Sequence, residues 1–260
     1  MEILEPAFPM SKPLAALLFA PLLAVAALPA QAQEQARPRW TFGMLAIDRD
    51  APYRDHDEGV FVVPLVRFEG DRFYFRGLRG AMRLRDTGSH ELALFAQARL
   101  DGYDSEDSGF LAGMADRRPS LDLGLSSIWR TQAGAFEVAA AADALDRSGG
   151  FETTASWSGL FRAGGWTFIP GASVRWQSSD LVDYYYGVRA GEALPGRPAY
   201  SANAAVTPDV SLLATRPLTR RWTFFARTSY AWLPGEIRDS PIVGQDGSVG
   251  LVIGVGYSPE

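Results

Sequence analysis

Beyond residue 40 the chain alternates apolar and polar residues with period two along most of its length. Near the C-terminus Val249, Leu251, Ile253, Val255 and Tyr257 share one face, opposite Gly250, Val252, Gly254 and Gly256. Before it, Trp222, Phe224, Ala226, Thr228, Tyr230 and Trp232 oppose Arg221, Thr223, Arg227 and Ser229. The same alternation places Trp166, Phe168, Pro170, Ala172, Val174 and Trp176 on one face, and likewise Phe151, Thr153, Ala155, Trp157 and Phe161. Leu121–Trp129, Phe136–Ala142 and Leu92–Ala98 repeat it. Such alternation predicts strands with two chemically distinct faces. The segments run about nine to twelve residues, the length a tilted strand needs to cross a bilayer's hydrocarbon, whereas strands of globular proteins average about five or six.

Two barrels fit this pattern. A soluble one turns its apolar face inward, and a membrane one turns it toward lipid. Trp129, Trp166, Trp176, Trp222, Trp232 and Tyr257 lie near segment ends, where interfacial girdles form. The polar faces are rich in small residues and poor in charge, which suits a tight lumen better than a solvated exterior. No apolar run beyond residue 40 approaches the length of a spanning helix. In lipid, a closed barrel is then the architecture that satisfies every backbone group. An all-β, antiparallel, up-and-down transmembrane barrel is the expectation.

The connections support it. Short turns are expected at Glu69–Asp71, Arg85–His90, Thr131–Gly134, Arg162–Gly165 and Arg216–Arg220, alternating with long loops at about 47–59, 100–119, 143–150, 177–207 and 233–248. This is the rhythm of a barrel with periplasmic turns and outer loops. Counting the bend at Arg76–Gly80 as a tight outer turn gives twelve strands with both ends in the periplasm; reading 72–84 as one strand gives ten.

The first 32 residues read as a secretory signal. Lys12 supplies the positive start, Leu14–Leu28 is an uncharged run broken by Pro21, and Ala30-Gln31-Ala32 fits a small-x-small cleavage site. The expected organisation is thus signal peptide 1–32, a short periplasmic stretch 33–39 and a barrel over 40–257. Without Glu2, Glu5 and Lys12 the remainder carries 24 arginines against 28 acids, and the chain has no cysteine. Disulfides are excluded, and a mildly acidic chain without a basic run argues against nucleic acid. Metal-hydrolase and serine-hydrolase motifs are missing. His90 sits between Ser89 and Glu91, but strand neighbours point to opposite faces. No catalytic residue, cofactor or metal site is expected. The acidic loop Asp101, Asp104, Glu106, Asp107 has no calcium-loop spacing and reads as hydrated.

The run Asp183-Tyr184-Tyr185-Tyr186-Gly187-Val188, with Glu192-Ala193 and Gly196-Arg197-Pro198-Ala199-Tyr200 after it, resembles the MipA/OmpV family of outer-membrane proteins. Asp239-Ser240-Pro241-Ile242-Val243, the stretch Asp143–Gly150, and Tyr103-Asp104-Ser105 with Leu111-Ala112-Gly113-Met114 and Asp116-Arg117 add to the resemblance, which covers about 40–257. It implies a barrel in outer-membrane lipid and lipopolysaccharide. It also implies a scaffold between a periplasmic murein transglycosylase and a penicillin-binding protein. Other members are viewed as antigens, adhesins or porin-like proteins. Barrels of this kind usually end on an aromatic residue read by the assembly machinery; here Tyr257, the candidate signal, is followed by Ser258-Pro259-Glu260.

By loop parity the tyrosine, Gly-Arg-Pro-Ala-Tyr and Asp-Ser-Pro motifs all fall on outer loops, away from the side a murein scaffold would use. Tyr184, Tyr185, Tyr186, Arg197 and Tyr200 are therefore candidates for a plug folded into the lumen, with Arg197 pairing to an inward acid such as Asp122, Glu152 or Asp209. Inward Arg99, Arg175 and Arg227 against Asp122, Glu152 and Asp209 would form a charged eyelet. Three functions compete: a scaffold, a narrow channel for small polar solutes, and a surface adhesin or antigen.

Overall fold

The computed structural model describes residues 39–56 and 59–259 (of Arg49 the backbone alone). The expected signal segment lies outside them, as does the 33–39 stretch apart from Arg39. Twelve strands form one closed antiparallel barrel. They are β1 (Arg39–Arg49), β2 (Phe61–Glu69), β3 (Phe73–Arg76), β4 (Arg79–Asp86), β5 (His90–Arg99), β6 (Ser120–Thr131), β7 (Gly134–Asp143), β8, β9 (Trp166–Gln177), β10 (Ala205–Pro217), β11 (Trp222–Trp232) and β12 (Gly247–Tyr257). β8 has two pieces, Phe151–Ser158 and Phe161–Ala163. Its register on β9 is continuous across the break, from Ser158↔Gly171 to Phe161↔Phe168. The break lies opposite Pro170, which has no N–H to give the ladder. Each strand pairs with the next, and β1 with β12, from Phe42↔Tyr257 to Arg49↔Gly250, closes the ring.

The choice between ten and twelve strands is decided at Arg76–Arg79. These two residues pair across a two-residue turn, where Gly77 has φ 62. A glycine tolerates that left-handed backbone at no steric cost.

The apolar face points outward, with Leu123, Phe136, Val174 and Leu251 all exposed. Aromatic rings gather at both rims. Trp40 packs on Phe68, Trp166 on Phe224 and Trp222 on Tyr257 at the short-turn end. Phe151 packs on Trp176 and Tyr230 on Trp232 at the long-loop end. Inside, toward the short turns, Leu45, Leu65, Leu160, Ile169, Leu213 and Phe225 meet in an apolar cluster. Gly254 makes room for it: an added Cβ would fall 2.8 Å from the Phe225 ring and 2.7 Å from Leu45.

The stretch expected as a plain loop at 177–207 is ordered. It holds α1 (Ser179–Tyr186), a 3-10 turn (Ala190–Glu192) and a bridge Val188↔Tyr200. In α1, Leu181, Val182, Tyr185 and Tyr186 are buried. Their spacing of one, four and five residues puts them on one helix face, a signal that a search for period two passes over. A further helical turn, α2 (Gly235–Arg238), lies in the last long loop.

Candidate functional site

The long loops fold over one mouth of the barrel and form an apolar cap. Tyr53, Tyr103, Leu111, Met114, Leu181, Val182, Tyr185, Tyr186, Val188, Leu233, Ile237, Ile242 and Val243 make one buried cluster, with Tyr184 and Tyr200 packed against it. Each tyrosine has its own neighbour. The Tyr53 ring stands edge-on to Tyr103 at 4.8 Å and stacks with Tyr186 at 6.0 Å. Tyr184 stands edge-on to Tyr185, and its hydroxyl accepts from the Arg118 N–H at 3.0 Å. The Tyr200 hydroxyl donates to the Glu236 carbonyl at 3.0 Å, and Ser240 Oγ donates to the Tyr186 carbonyl at 2.6 Å. The Asp183 carboxylate accepts from the Ala202 N–H at 2.8 Å. Gly187 follows because an added Cβ would sit 2.4 Å from the Asp183 carbonyl oxygen.

Two buried arginines join the loops. Arg117 donates to the Tyr184 carbonyl at 2.7 Å, the Ala115 carbonyl at 2.6 Å and the Glu192 carboxylate at 2.9 Å. Arg197 donates to the Glu192 carbonyl at 2.8 Å and to the carbonyls of Ala112 and Phe110. The expected pairing of Arg197 with Asp122, Glu152 or Asp209 is thus replaced by backbone contacts within the cap. The reason is reach: those acids point into the barrel below, while the Arg197 fork matches carbonyls of the 100–119 loop. Sequence reasoning missed the Arg117–Glu192 pair, although both residues lie inside the loop motifs.

Beneath the cap the six expected lumen charges all face inward. Arg99 forms ion pairs with Asp101 at 3.1 Å, Asp122 at 2.5 Å and Glu152 at 2.8 Å, and Arg175 approaches Glu152 at 4.0 Å. Asp101, expected in a hydrated acidic loop, is therefore buried as a third carboxylate on Arg99. Asp209 accepts from Ser173 Oγ at 2.8 Å. With Arg227 it lines a cavity of about 170 Å³ that also meets Arg79, Glu137, Arg175 and Ser211. Nearer the short turns Glu69 holds Arg67, Arg76 and Arg83, and Glu91 holds Arg83 and Arg130. His90 binds Ser127 at 2.8 Å, away from Glu91 in the lumen. Tyr257 sits at the closing seam. The next residue, Ser258, continues the ladder through its N–H to the Arg221 carbonyl and its hydroxyl to Thr41.

Glu192 gives the cap a pH dependence. Burial raises its pKa, but the Arg117 charge and hydrogen bonds from Arg117, the Ala115 N–H and the Arg189 N–H outweigh this and hold it at about 2, against 4.5 unperturbed. A depressed carboxylate stabilises the fold above its unfolded pKa, and the contribution is lost as pH falls through the folded one. The stabilisation here is about 3 kcal/mol. Protease access to residues 178–204 is expected to stay flat above pH 5 and to rise as pH falls from about 4.5 toward 2. An acid-stable protease in that window checks it, and Glu192→Gln should flatten the profile.

The model of the family described as "MltA-interacting protein MipA" matches residues 42–259. The MltA-interacting protein of Escherichia coli (strain K12) is 32% identical over 209 residues, covering 79% of this chain and 84% of that one. YiaT, an outer membrane protein of the same organism, is 31% identical over 241 residues, covering 91% and 97%. Among solved structures, the outer membrane protein OmpT of Vibrio cholerae aligns over 84% of this chain and 76% of its own, with TM-score 0.38 and 10% identity. The twelve-stranded fold, the resemblance carried by the loop motifs and the relatives agree, and the chain is an outer-membrane β-barrel that belongs to the MipA family.

Proposed function

We propose that the protein is an axially closed barrel that anchors a periplasmic murein transglycosylase to the outer membrane, with a penicillin-binding protein as the further partner. The observation that carries this reading is the cap. The outer-loop motifs at Tyr103–Arg117, Asp183–Tyr200 and Ser240–Val243 hold the loops to one another across the mouth, while Asp143–Gly150 closes its own turn on the Asp143 carboxylate. The long loops thus have a structural task, and the surface left for a periplasmic partner is the ring of short turns. Two of those turns are basic: Arg162, Arg216, Arg220 and Arg221 are exposed on them, and they contain no acid. The name of the Escherichia coli relative points to the same class of partner.

Affinity purification from gently solubilised envelopes is expected to bring a murein transglycosylase with the barrel. Planar-bilayer recording is expected to show no steady conductance. A barrel that conducts and brings no murein enzyme would instead be a narrow channel for small polar solutes. The cavity lined by Arg175, Arg227, Asp209 and Ser211 favours that second reading.

A further inference from the structure

The barrel wall is not of even height. β3 has four residues, and the hairpin it makes with β4 turns at Gly77 and Leu78, while β2 runs on to Phe61. The β2–β3 ladder covers only Arg67–Glu69, and the Gly77 N–H adds one bond to the Val66 carbonyl at 3.4 Å. Phe61–Leu65 pair with β1 on one side, from Ile47↔Phe61 to Gly43↔Leu65. On the other side they have no ladder partner among the described residues. On β5 the last bond to the hairpin is from the Ala98 N–H to the Leu78 carbonyl, at 3.0 Å. A window is left in the side wall, with the hairpin tip as its sill. Val62 beside it is 62% exposed, more than any other large apolar strand residue described.

The edge of this window lacks one of its backbone donors. The Val66 carbonyl points toward β3, so antiparallel alternation turns Val62 and Pro64 the same way. Pro64 has no N–H to leave unmet, and prolines in sheets are confined to such positions. What remains is the Val62 N–H and the carbonyls of Val62 and Pro64. Bare lipid does not satisfy such groups, so where this edge faces lipid a polar occupant or water must meet them.

The two sides of the sill differ. Inside, Arg79 is nine-tenths buried and lies 3.6 Å over the Phe95 ring. Its Nη1 binds Glu137 at 3.0 Å, but its Nε and Nη2 have no hydrogen-bond partner, and the residue lines the lumen cavity. Outside, Phe75, Met82, Leu94 and Leu123 wall an apolar groove floored by Gly80 and Ala96. Gly80 leaves open space there, since a Cβ added to it would come no closer than 3.7 Å to Phe75.

We propose that the window between β2 and the β3–β4 hairpin is a lateral binding site for a single-chain amphiphile with an anionic head, the head on Arg79 and the chain in the outer groove. This goes beyond the anchoring role and does not depend on it, since a capped axis leaves the side wall open.

The test uses the folded barrel in phospholipid nanodiscs. The probes are dodecanoate, acetate as the head alone, and dodecyl maltoside as the chain with an uncharged head. Dodecanoate should bind saturably, about tenfold or more tighter than the maltoside, with acetate weaker than both. Arg79→Gln should weaken dodecanoate by about tenfold and leave the maltoside unchanged. Because Arg79 also serves Glu137, Leu78→Trp is the second variant: it fills the sill, keeps that ion pair, and should weaken both long-chain probes. Heat-modifiable migration on gels confirms folding of each variant. Dodecanoate binding that is absent, equal to acetate binding, or indifferent to both substitutions would overturn the proposal. Transglycosylase co-purification is read separately, so either result stands without the other.

Discussion

Arg117→Ala is expected to open the cap and leave the barrel standing. The side chain is 2% exposed and fastens three separate stretches: its own loop at Ala115, the end of α1 at Tyr184 and Gly187, and the 3-10 turn at Glu192. Truncation removes all of these contacts together and leaves the buried Glu192 carboxylate with only the exposed Arg189 guanidinium, 3.9 Å away, as a cation. Breaking a buried pair in this way costs about 3–5 kcal/mol. The strand ladders do not touch Arg117, so the loss falls on the loops. Arg189 is exposed between α1 and the 3-10 turn, which gives trypsin a site whose cleavage waits on local opening. Where opening is fast, cleavage follows the open population, which should rise by about two to three orders of magnitude. Arg117→Lys should recover part of the protection, because a point charge still meets Glu192 but cannot fork across the carbonyls. Equal cleavage of wild type and Arg117→Ala, with both barrels folded, would sink the assignment of Arg117 as the fastening of the cap.

What can be read in the sequence follows from the range of each signal. Period two is local, so the strands, their outward faces and the alternation of short turns with long loops are all legible, down to the tight turn at Arg76–Gly80. The six inward charges come with the same alternation, since a residue opposite a lipid-facing one must face the lumen. The cap's pairings are not legible. Arg117 and Glu192 are 75 residues apart, and Arg197 and Phe110 are 87 apart; no local pattern links either pair. The two mistaken expectations have one origin. Charge alone matches Arg197 to lumen acids, although a guanidinium is equally well satisfied by carbonyls. Asp101 reads as hydrated because its neighbours Asp104, Glu106 and Asp107 are acidic, yet it sits two residues beyond Arg99 and turns back onto it. The window escapes for a different reason: the turn at Arg76–Gly80 marks where β3 ends, but which β2 residues are then left without a partner depends on the β2–β3 register, and no local pattern gives it.

Arg99 should be the most sensitive position in the lumen. It is the cation shared by Asp101, Asp122 and Glu152, and the nearest other guanidinium in that group, Arg175, stands 4.0 Å from Glu152. Arg99→Met keeps most of the side-chain volume but gathers three carboxylates with little compensation. The loss expected is at least that of one broken buried pair, about 3–5 kcal/mol, read as a lower urea midpoint for the barrel refolded in liposomes. The decisive comparison adds Asp101→Asn, Asp122→Asn and Glu152→Gln to Arg99→Met. Removing the stranded charges together with their cation should restore much of the stability, since neutral replacements of a whole buried ion cluster are often tolerated. An open, water-filled lumen predicts otherwise. Water would screen the carboxylates, the single change would cost no more than about 1 kcal/mol as at a protein surface, and the added neutral residues would restore nothing. The size of the single-site loss therefore measures how dry the lumen is beneath the cap. A small loss would remove the charged network from the account of what closes this barrel and leave the cap and the apolar cluster around Phe225 to do it.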